Sequence, residues 1–417
     1  MKKLLCLFLA AFLLLSISAC SAKKDPLNGK FAVGYGRADV TPQPGISMSG
    51  FAAQGENTRT AESVLNELYM TCIAITDPEG KTVLLYTFDA IRIAGESADT
   101  IRKAVSDATS IPMGNIMISA THSHSTPPVN SQWYSQCEKG AVEAAKAALA
   151  DRGEATMEYA STELEKMSFV RHYITDLGKT VGDNFYSSGD GRPVSHTTEA
   201  DKELRLVRFL REGKKPVLMV NWLGHASMAS TGSTEFGQAH RYFLSSDYVG
   251  FCRSYVEENL DCHFALFMGA SGNINSASSV VGEDLTKSAI EYGEMLGKHV
   301  LELATTAGTT GGIQATTQQF QTNSGTMDIH AMGIGSLGII TGPFEMFDTT
   351  SMAVRAESPF AITFVLSQTN GALGYMPTDM CFDYNDCYEC RNCNFARGSA
   401  EKIVGVYGQM LQTVKAD

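Results

Sequence analysis

The feature that most constrains the fold is an alternation of short apolar, β-branched runs with segments of helical periodicity. The runs predict strands at residues 71–75, 82–88, 116–120, 204–210, 216–222 and 263–268. The helical patterns predict helices at residues 96–108, 136–150, 248–259 and 286–305. Two further buried strands are predicted at residues 332–340 and 361–367. Such an order favours an α/β fold in which mixed β-sheets are layered with helices.

The length and the net charge of the chain restrict its possible domain organisation and the class of its binding partner. With 417 residues, of which 44% are hydrophobic, the chain is long enough to bury a sizeable core. No internal repeat or low-complexity linker divides it, so we predict one large domain over residues 31–417. The net charge is −12 and no run of Lys or Arg is present. Because binding of nucleic acid depends on neutralising phosphates with cations, nucleic acid is excluded as the expected partner.

The first 20 residues are typical of a bacterial lipoprotein signal. Two lysines precede an apolar run of about a dozen residues, too short for a membrane-spanning helix but typical of a signal peptide. The segment ends Ser18-Ala19-Cys20, which resembles a lipobox. We therefore expect residues 1–19 to be removed, Cys20 to carry lipid and residues 20–30 to form a tether. This predicts a lipid-anchored protein of the cell envelope outside the cytoplasm, and the alternative is an ordinary secretory signal with a chance cysteine.

Four cysteines lie close together near the C-terminus, at positions 381, 387, 390 and 393. Outside the cytoplasm disulfides are allowed, so we favour two local disulfides, whose pairing the sequence does not give. A zinc knuckle or an iron–sulfur site is the alternative. The iron–sulfur pattern of ferredoxins requires a further cysteine and a proline just downstream, and Asn394 and Phe395 stand there instead.

Polar side chains follow several predicted strands at the point where each strand ends. His122 and His124 come directly after strand 116–120, and their spacing of two directs both to one side of an extended segment. His225 follows strand 216–222, and Glu345 follows an apolar, glycine-rich run. Two histidines and a carboxylate suit zinc with an open position for water. The alternatives are loop or core histidines, and a glutamate in the first turn of a helix.

Six short segments, in order along the chain, carry a resemblance to a known family. They are residues 33–42 (VGYGRADVTP), 120–125 (ATHSHS), 223–228 (LGHASM), 269–275 (GASGNIN), 345–360 (EMFDTTSMAVRAESPF) and 370–378 (NGALGYMPT). Together they resemble the catalytic domain of the neutral, non-lysosomal ceramidases. The resemblance implies a zinc-dependent amidohydrolase that cleaves the amide of an N-acyl lipid, such as a sphingolipid, with zinc-activated water.

The same resemblance assigns roles to individual residues. It implies that zinc is bound by His122, His225, Glu345 and Tyr375. It also implies that charge on the tetrahedral intermediate is stabilised by His124, Arg171 and Tyr388. Tyr375 would otherwise be interpreted as a packing residue, because a phenolic ligand is unusual.

The sequence also departs from the family pattern, which leaves other functions open. Asn275 stands where the family has a serine in its G-D-V-S-like turn, and no segment corresponds to the family's C-terminal immunoglobulin-like domain. One alternative is a ceramidase-like binding lipoprotein without turnover, and another is a hydrolase of other amides or esters. A serine hydrolase using Ser271 is disfavoured, because Gly272 comes one residue too early for a nucleophile elbow.

Overall fold

The computed structural model describes residues 27–50, 59–129, 132–182, 188–229, 241–276 and 288–415. The predicted signal segment 1–19 and Cys20 lie outside these residues. Within the described ranges, no helix combines the length and the apolarity that crossing a membrane requires.

The elements are numbered along the chain. The strands are β1 Ala32–Asp39, β2 Ser47–Met48, β3 Arg59–Thr60, β4 Ser63–Val64, β5 Tyr69–Thr76, β6 Thr82–Phe88, β7 Ile116–Ala120, β8 Gly153–Glu163, β9 Phe169–Val170, β10 His172–Thr175, β11 Thr180–Gly182, β12 Pro193–His196, β13 Glu203–Arg211, β14 Lys214–Trp222, β15 Phe243–Leu244, β16 His263–Met268, β17 Ile274–Asn275, β18 Thr306–Ala307, β19 Ile313–Thr322, β20 Gly325–Ile334, β21 Leu337–Thr341, β22 Glu345–Met346, β23 Ile362–Leu366 and β24 Tyr375–Met376. The helices are α1 Gly95–Thr109, α2 Tyr134–Ala150, α3 Tyr248–Asn259, α4 Ala289–Glu302, α5 Asp348–Ala356, α6 Tyr388–Arg391 and α7 Ser399–Val414.

A nine-stranded mixed sheet forms the centre of the fold. Its order is β16-β14-β13-β8-β1-β5-β6-β7, and β18 pairs with β8. Most neighbours are antiparallel, but β6 runs parallel to β7 and β14 runs parallel to β16. Strand β16 shows why these runs are apolar throughout: Phe264 and Leu266 face one core cluster, whereas Ala265 and Phe267 face another. Strands buried on both faces read as continuous apolar segments rather than alternating ones.

Helices and a second sheet cover the two faces of the large sheet. Helices α3 and α4 pack on the β13, β14 and β16 half, and α1 and α2 pack on the β5, β6 and β7 half. A four-stranded sheet of order β19-β20-β21-β23 packs on the opposite face. Helices α5 and α7 cover the outer side of that smaller sheet. The layers therefore run helix, sheet, sheet, helix, which confirms the predicted α/β class.

Strand β23 and the residues just after it contact both edge strands of the large sheet. The Ala120 amide at the end of β7 donates to the Gln368 carbonyl at 3.2 Å. The Ser367 amide donates to the Met268 carbonyl at the end of β16, also at 3.2 Å. The parallel pairs are β6 with β7, β14 with β16, and β21 with β23, so this contact brings their carboxyl ends to one region of the molecule.

The predicted strands 82–88, 116–120 and 263–268 and helix 248–259 have the same bounds in the structure. The prediction of one strand over 332–340 is wrong, because Gly335 takes a φ of +54° and turns the chain between β20 and β21. The alternative that placed Glu345 in the first turn of a helix is also wrong, since Glu345 lies in β22 and helix α5 begins at Asp348.

Candidate metal centre

Two strand ends of the large sheet supply the histidines of the site. His122 follows β7 with a φ of +64°, a left-handed conformation that is uncommon for a residue other than glycine. His225 follows β14, just after Gly224, where an added Cβ would lie 2.6 Å from the Tyr292 hydroxyl. Unusual backbone and close packing of this kind cluster at functional sites because the surrounding structure must enforce them.

Three imidazoles meet at this point. The Nε2 atom of His124 lies 3.0 Å from Nε2 of His225 and 3.4 Å from Nε2 of His122. His122 and His225 are buried, and His124 is partly exposed. Their ring nitrogens are close enough together to share one metal ion. His124, to which the family resemblance gives an outer role, therefore lies as near the centre as the two expected ligands.

Backbone carbonyls orient the two buried rings. Nδ1 of His122 is 2.7 Å from the Ile91 carbonyl, and Nδ1 of His225 is 3.1 Å from the Ser271 carbonyl. A ring that donates from Nδ1 carries its lone pair on Nε2, the atom that faces the other imidazoles. Burial, and then the neighbouring His122 and His124, hold the pKa of His225 well below its usual value. The imidazole is thus in the neutral form that binds metals.

A short parallel bridge places Glu345 beside Tyr375. Glu345 in β22 is the register partner of Tyr375 in β24, and the Glu345 amide donates to the Gly374 carbonyl at 2.9 Å. Oε2 of Glu345 lies 3.3 Å from Nε2 of His122 and is a buried oxygen without a conventional hydrogen bond. Burial alone would raise the pKa of Glu345, but His122 and Arg171 lower it overall, so the group is a carboxylate.

Arg171 and Tyr388 line the Tyr375 side of the site. The guanidinium carbon of Arg171 lies 5.6 Å from the centre of the Tyr375 ring, and the Tyr388 ring meets the same ring edge-on at 5.6 Å. Burial and then the Glu345 carboxylate raise the pKa of Tyr375 well above its usual value. The structure therefore groups Tyr375, Arg171 and Tyr388 around one wall of the histidine and glutamate cluster.

Glu389, which the sequence does not reveal, fixes Arg171. Its Oε1 accepts from Nε of Arg171 at 2.7 Å, and its Oε2 is 2.9 Å from Nε2 of His172. A second guanidinium nitrogen of Arg171 donates to the Gly272 carbonyl at 2.8 Å. All three charged side chains are buried. The only sequence signal was the adjacency of Glu389 to Tyr388, since a lone glutamate among cysteines has no characteristic pattern.

The turn that carries Ser271 and Asn275 lies behind the histidines. Asn275 is partly exposed in β17 opposite Phe169, and the neighbouring Ser276 hydroxyl donates to the His225 carbonyl at 2.8 Å. The Ser271 hydroxyl is fully buried and has no hydrogen-bond partner among the described residues. A serine nucleophile needs a hydrogen bond to its general base. The geometry therefore argues against the serine-hydrolase alternative.

The donor set fits a zinc ion. Buried Nε2 atoms with fixed tautomers and a carboxylate oxygen without a conventional hydrogen bond are the ligands and the charge that zinc prefers. A buried carboxylate oxygen without a well-formed hydrogen bond is costly unless a cation occupies the site. Such a set can hold a divalent metal and activate water beside it.

Two solved structures share this fold. A neutral ceramidase from Pseudomonas aeruginosa is 13% identical and superposes over 93% of this chain and 75% of its own, with a TM-score of 0.73. A ceramidase complexed with C2 is 14% identical and superposes over 92% of this chain and 75% of its own, also with a TM-score of 0.73. No protein-family model and no curated protein sequence matches the chain. The likeness therefore establishes a ceramidase-like fold.

Proposed function

We propose that this protein is a zinc-dependent amidohydrolase that cleaves the amide of an N-acyl lipid-type substrate. The observation that carries the proposal is the convergence of His122 and His225 with Glu345, three buried donors from separate strand ends. The ceramidase-like fold and the six sequence segments support the reaction class. Zinc is the proposed ion because histidine nitrogen with carboxylate oxygen is its usual catalytic ligand set.

Each residue has a role that follows from its contacts. His122 and His225 hold the metal through Nε2 while Ile91 and Ser271 fix their rings, and Tyr375 completes the proposed ligand set. Bound zinc supplies Lewis-acid chemistry that lowers the pKa of water and polarises a carbonyl. Glu345 is a carboxylate in contact with the site and would accept the proton of a water activated there.

Negative charge that develops on the substrate oxygen is stabilised by side chains on the Tyr375 side of the site. The Arg171 guanidinium is held by Glu389 and Gly272, so it is already oriented before substrate binds. The partly exposed side chains of Tyr388 and His124 are the further hydrogen-bond donors of the proposal. Donors fixed in advance in a site shielded from water are the largest single source of catalysis in acyl transfer.

The ceramidase-like fold and the expected location of the protein support the choice of substrate class. The proposed lipid on Cys20 holds the domain against a membrane outside the cytoplasm, where lipid amides are accessible. An N-acyl lipid such as a ceramide is therefore the first substrate to test.

The test is release of fatty acid from a short-chain fluorescent ceramide by the full-length chain purified in detergent. We expect a chelator to abolish release and added zinc to restore it. Glu345→Gln removes the proton acceptor and a metal ligand, so release falls at least about 100-fold. The matched control is Glu154→Gln, which alters an exposed glutamate paired with Lys30 and retains activity.

Metal content measured on the same samples separates the alternatives. Bound zinc without hydrolysis of ceramide or other N-acyl substrates supports the binding-protein alternative and overturns the proposal. A Glu345→Gln variant that keeps both its full zinc content and its activity would show that the site is assigned wrongly.

A further inference from the structure

A second group of metal-ligating side chains lies in the segment that carries Tyr388. Residues Asp379–Asp383 form a 3-10 turn and Tyr388–Arg391 form helix α6, so the intervening chain folds back on itself. Cys381 and Cys387 are buried and Cys390 is partly buried, all in one apolar cluster with Tyr375 and Phe347. The proposed amidase chemistry uses none of these sulfurs.

The sulfur of Cys387 is the centre of this group. The Cys381 and Cys390 thiols both donate side-chain hydrogen bonds to it, and the Cys390 amide donates to it at 3.4 Å. The ligating atoms of Cys387, His172 and Glu389 all lie within 4.8 Å of one another. The Cys387 sulfur therefore has two thiols, an imidazole and a carboxylate as neighbours.

His172 and Glu389 come from different parts of the chain and are both buried. Nε2 of His172 lies 2.9 Å from Oε2 of Glu389, and Oε2 of Glu389 lies 3.4 Å from the Cys387 sulfur. Carboxylates beside a ligating histidine are the common outer partners of metal sites. A disulfide would require neither a buried imidazole nor a buried carboxylate beside the thiols.

The thiol arrangement favours a metal over the local disulfides that the sequence favoured. Each of the cysteines in the described ranges is a free thiol. A disulfide between any two of Cys381, Cys387 and Cys390 would leave the third thiol beside the disulfide without a bonding partner. Cys393 packs in a different apolar cluster, and its sulfur accepts from the Phe395 amide at 3.2 Å. The C-x2-C spacing of Cys387 and Cys390 is typical of structural zinc sites.

We propose that Cys381, Cys387, Cys390 and His172 form a second, structural zinc site, separate from the histidine centre. The site fixes the segment that carries Tyr388 and Glu389. Because Glu389 binds the Arg171 guanidinium, the site also orients Arg171. Zinc loading displaces the thiol protons and one proton of the His172 imidazolium into solvent, which leaves three thiolate ligands and one neutral imidazole. Four protein ligands close the coordination sphere, as is usual for structural rather than catalytic zinc.

The test is cobalt substitution of the full-length chain, purified in detergent under reducing conditions. Cobalt bound by thiolates absorbs in the near ultraviolet by charge transfer, whereas cobalt bound at the histidine centre has no sulfur ligand. We expect the wild type to bind a second equivalent of cobalt and to show this band. Cys387→Ser loses the band and that equivalent, while the matched control Cys393→Ser keeps both. His225→Ala loses only the equivalent without a band.

Two results would overturn the inference. One is a wild-type protein that loads cobalt at the histidine centre but shows no thiolate band. The other is a parallel sample purified without reductant whose mass shows a disulfide at Cys387 with no metal bound. Should Cys387→Ser fail to fold, Cys390→His replaces one ligand by another and must retain the second metal with a weaker band. Absorbance rather than hydrolysis is measured, so the outcome does not depend on the proposed amidase function.

Discussion

At the scale of single residues, Glu389 is buried between two basic side chains. It is 1% exposed and receives hydrogen bonds from the side chains of both Arg171 and His172. Burial alone would lower the pKa of His172, but Glu389 and then the Cys387 sulfur raise it to about 9, so the protein contains a buried cluster of positive and negative charges. Removing one member of such a cluster leaves the others buried without compensation.

We therefore expect Glu389→Gln to destabilise the fold by about 3–5 kcal/mol, because the Arg171 and His172 charges lose their carboxylate. Urea unfolding measures this change. The matched control, Glu154→Gln, breaks the exposed pair with Lys30 and should leave the unfolding midpoint almost unchanged, since solvent screens surface pairs. An equal effect of the two substitutions would mean that Glu389 contributes no more than a surface charge.

Residue position along strands explains what sequence reasoning found and what it missed. His122, His225 and Glu345 were identified because each follows an apolar run, where a polar side chain is out of place in a core. Glu389 and His172 were not, because no strand end or spacing marks them. Their pairing links residues 217 positions apart, which only the tertiary fold brings together.

Among the elements, the short bridge between β22 and β24 determines where the carboxylate lies. The turn after β16 supports it from below: the Gly272 amide donates to the Met346 carbonyl at 2.9 Å. A Cβ on Gly272 would lie 2.9 Å from the carbonyl oxygens of both Glu345 and Met346. Both neighbours are backbone atoms in a buried strand, so they cannot move aside without shifting the bridge.

We therefore expect Gly272→Ala to displace β22 and to weaken zinc binding by about 10-fold or more while the protein remains folded. Loss of a group that only supports a metal ligand typically lowers metal affinity by this factor. Zinc titration against a chromophoric competitor measures the affinity. Gly405→Ala in α7 is the control, because an added Cβ there meets open space and favours the helix. Unchanged affinity in Gly272→Ala would show that the bridge tolerates the shift.

Element interiors were predictable from sequence because burial on both faces requires long apolar, β-branched runs, as in β6 and β16. The ends of the elements near the site were less predictable from sequence. Apolar residues continue through the turn at Gly335 and through the β22 bridge, so hydrophobic pattern alone does not separate β20 from β21 or β22 from α5. Only pairing with other strands fixes those boundaries.

At the scale of the whole molecule, the site exists because two separate sheets meet. The carboxyl ends that carry His122 and His225 belong to the large sheet, while Glu345 and Tyr375 follow strands of the small one. Local sequence patterns predict each sheet's strands but contain no information on how the sheets face each other. The contact is polar as well as apolar, and Asn221 of β14 is a fully buried polar residue within it.

Asn221 joins three strands through one side chain. Its amide nitrogen donates to the Phe267 carbonyl at 3.0 Å and to the Val365 carbonyl at 3.1 Å, and its oxygen accepts from the Val365 amide at 3.3 Å.

Asn221→Ala leaves these buried backbone groups unsatisfied, so we expect it to lower the free energy of unfolding by about 3 kcal/mol. The urea midpoint should fall with an unchanged slope, because the same surface is exposed on unfolding. Asn259→Ala, which removes an exposed hydrogen bond to the Tyr255 carbonyl, is the control. A loss in Asn221→Ala no larger than in that control would mean that apolar packing alone holds the two sheets together.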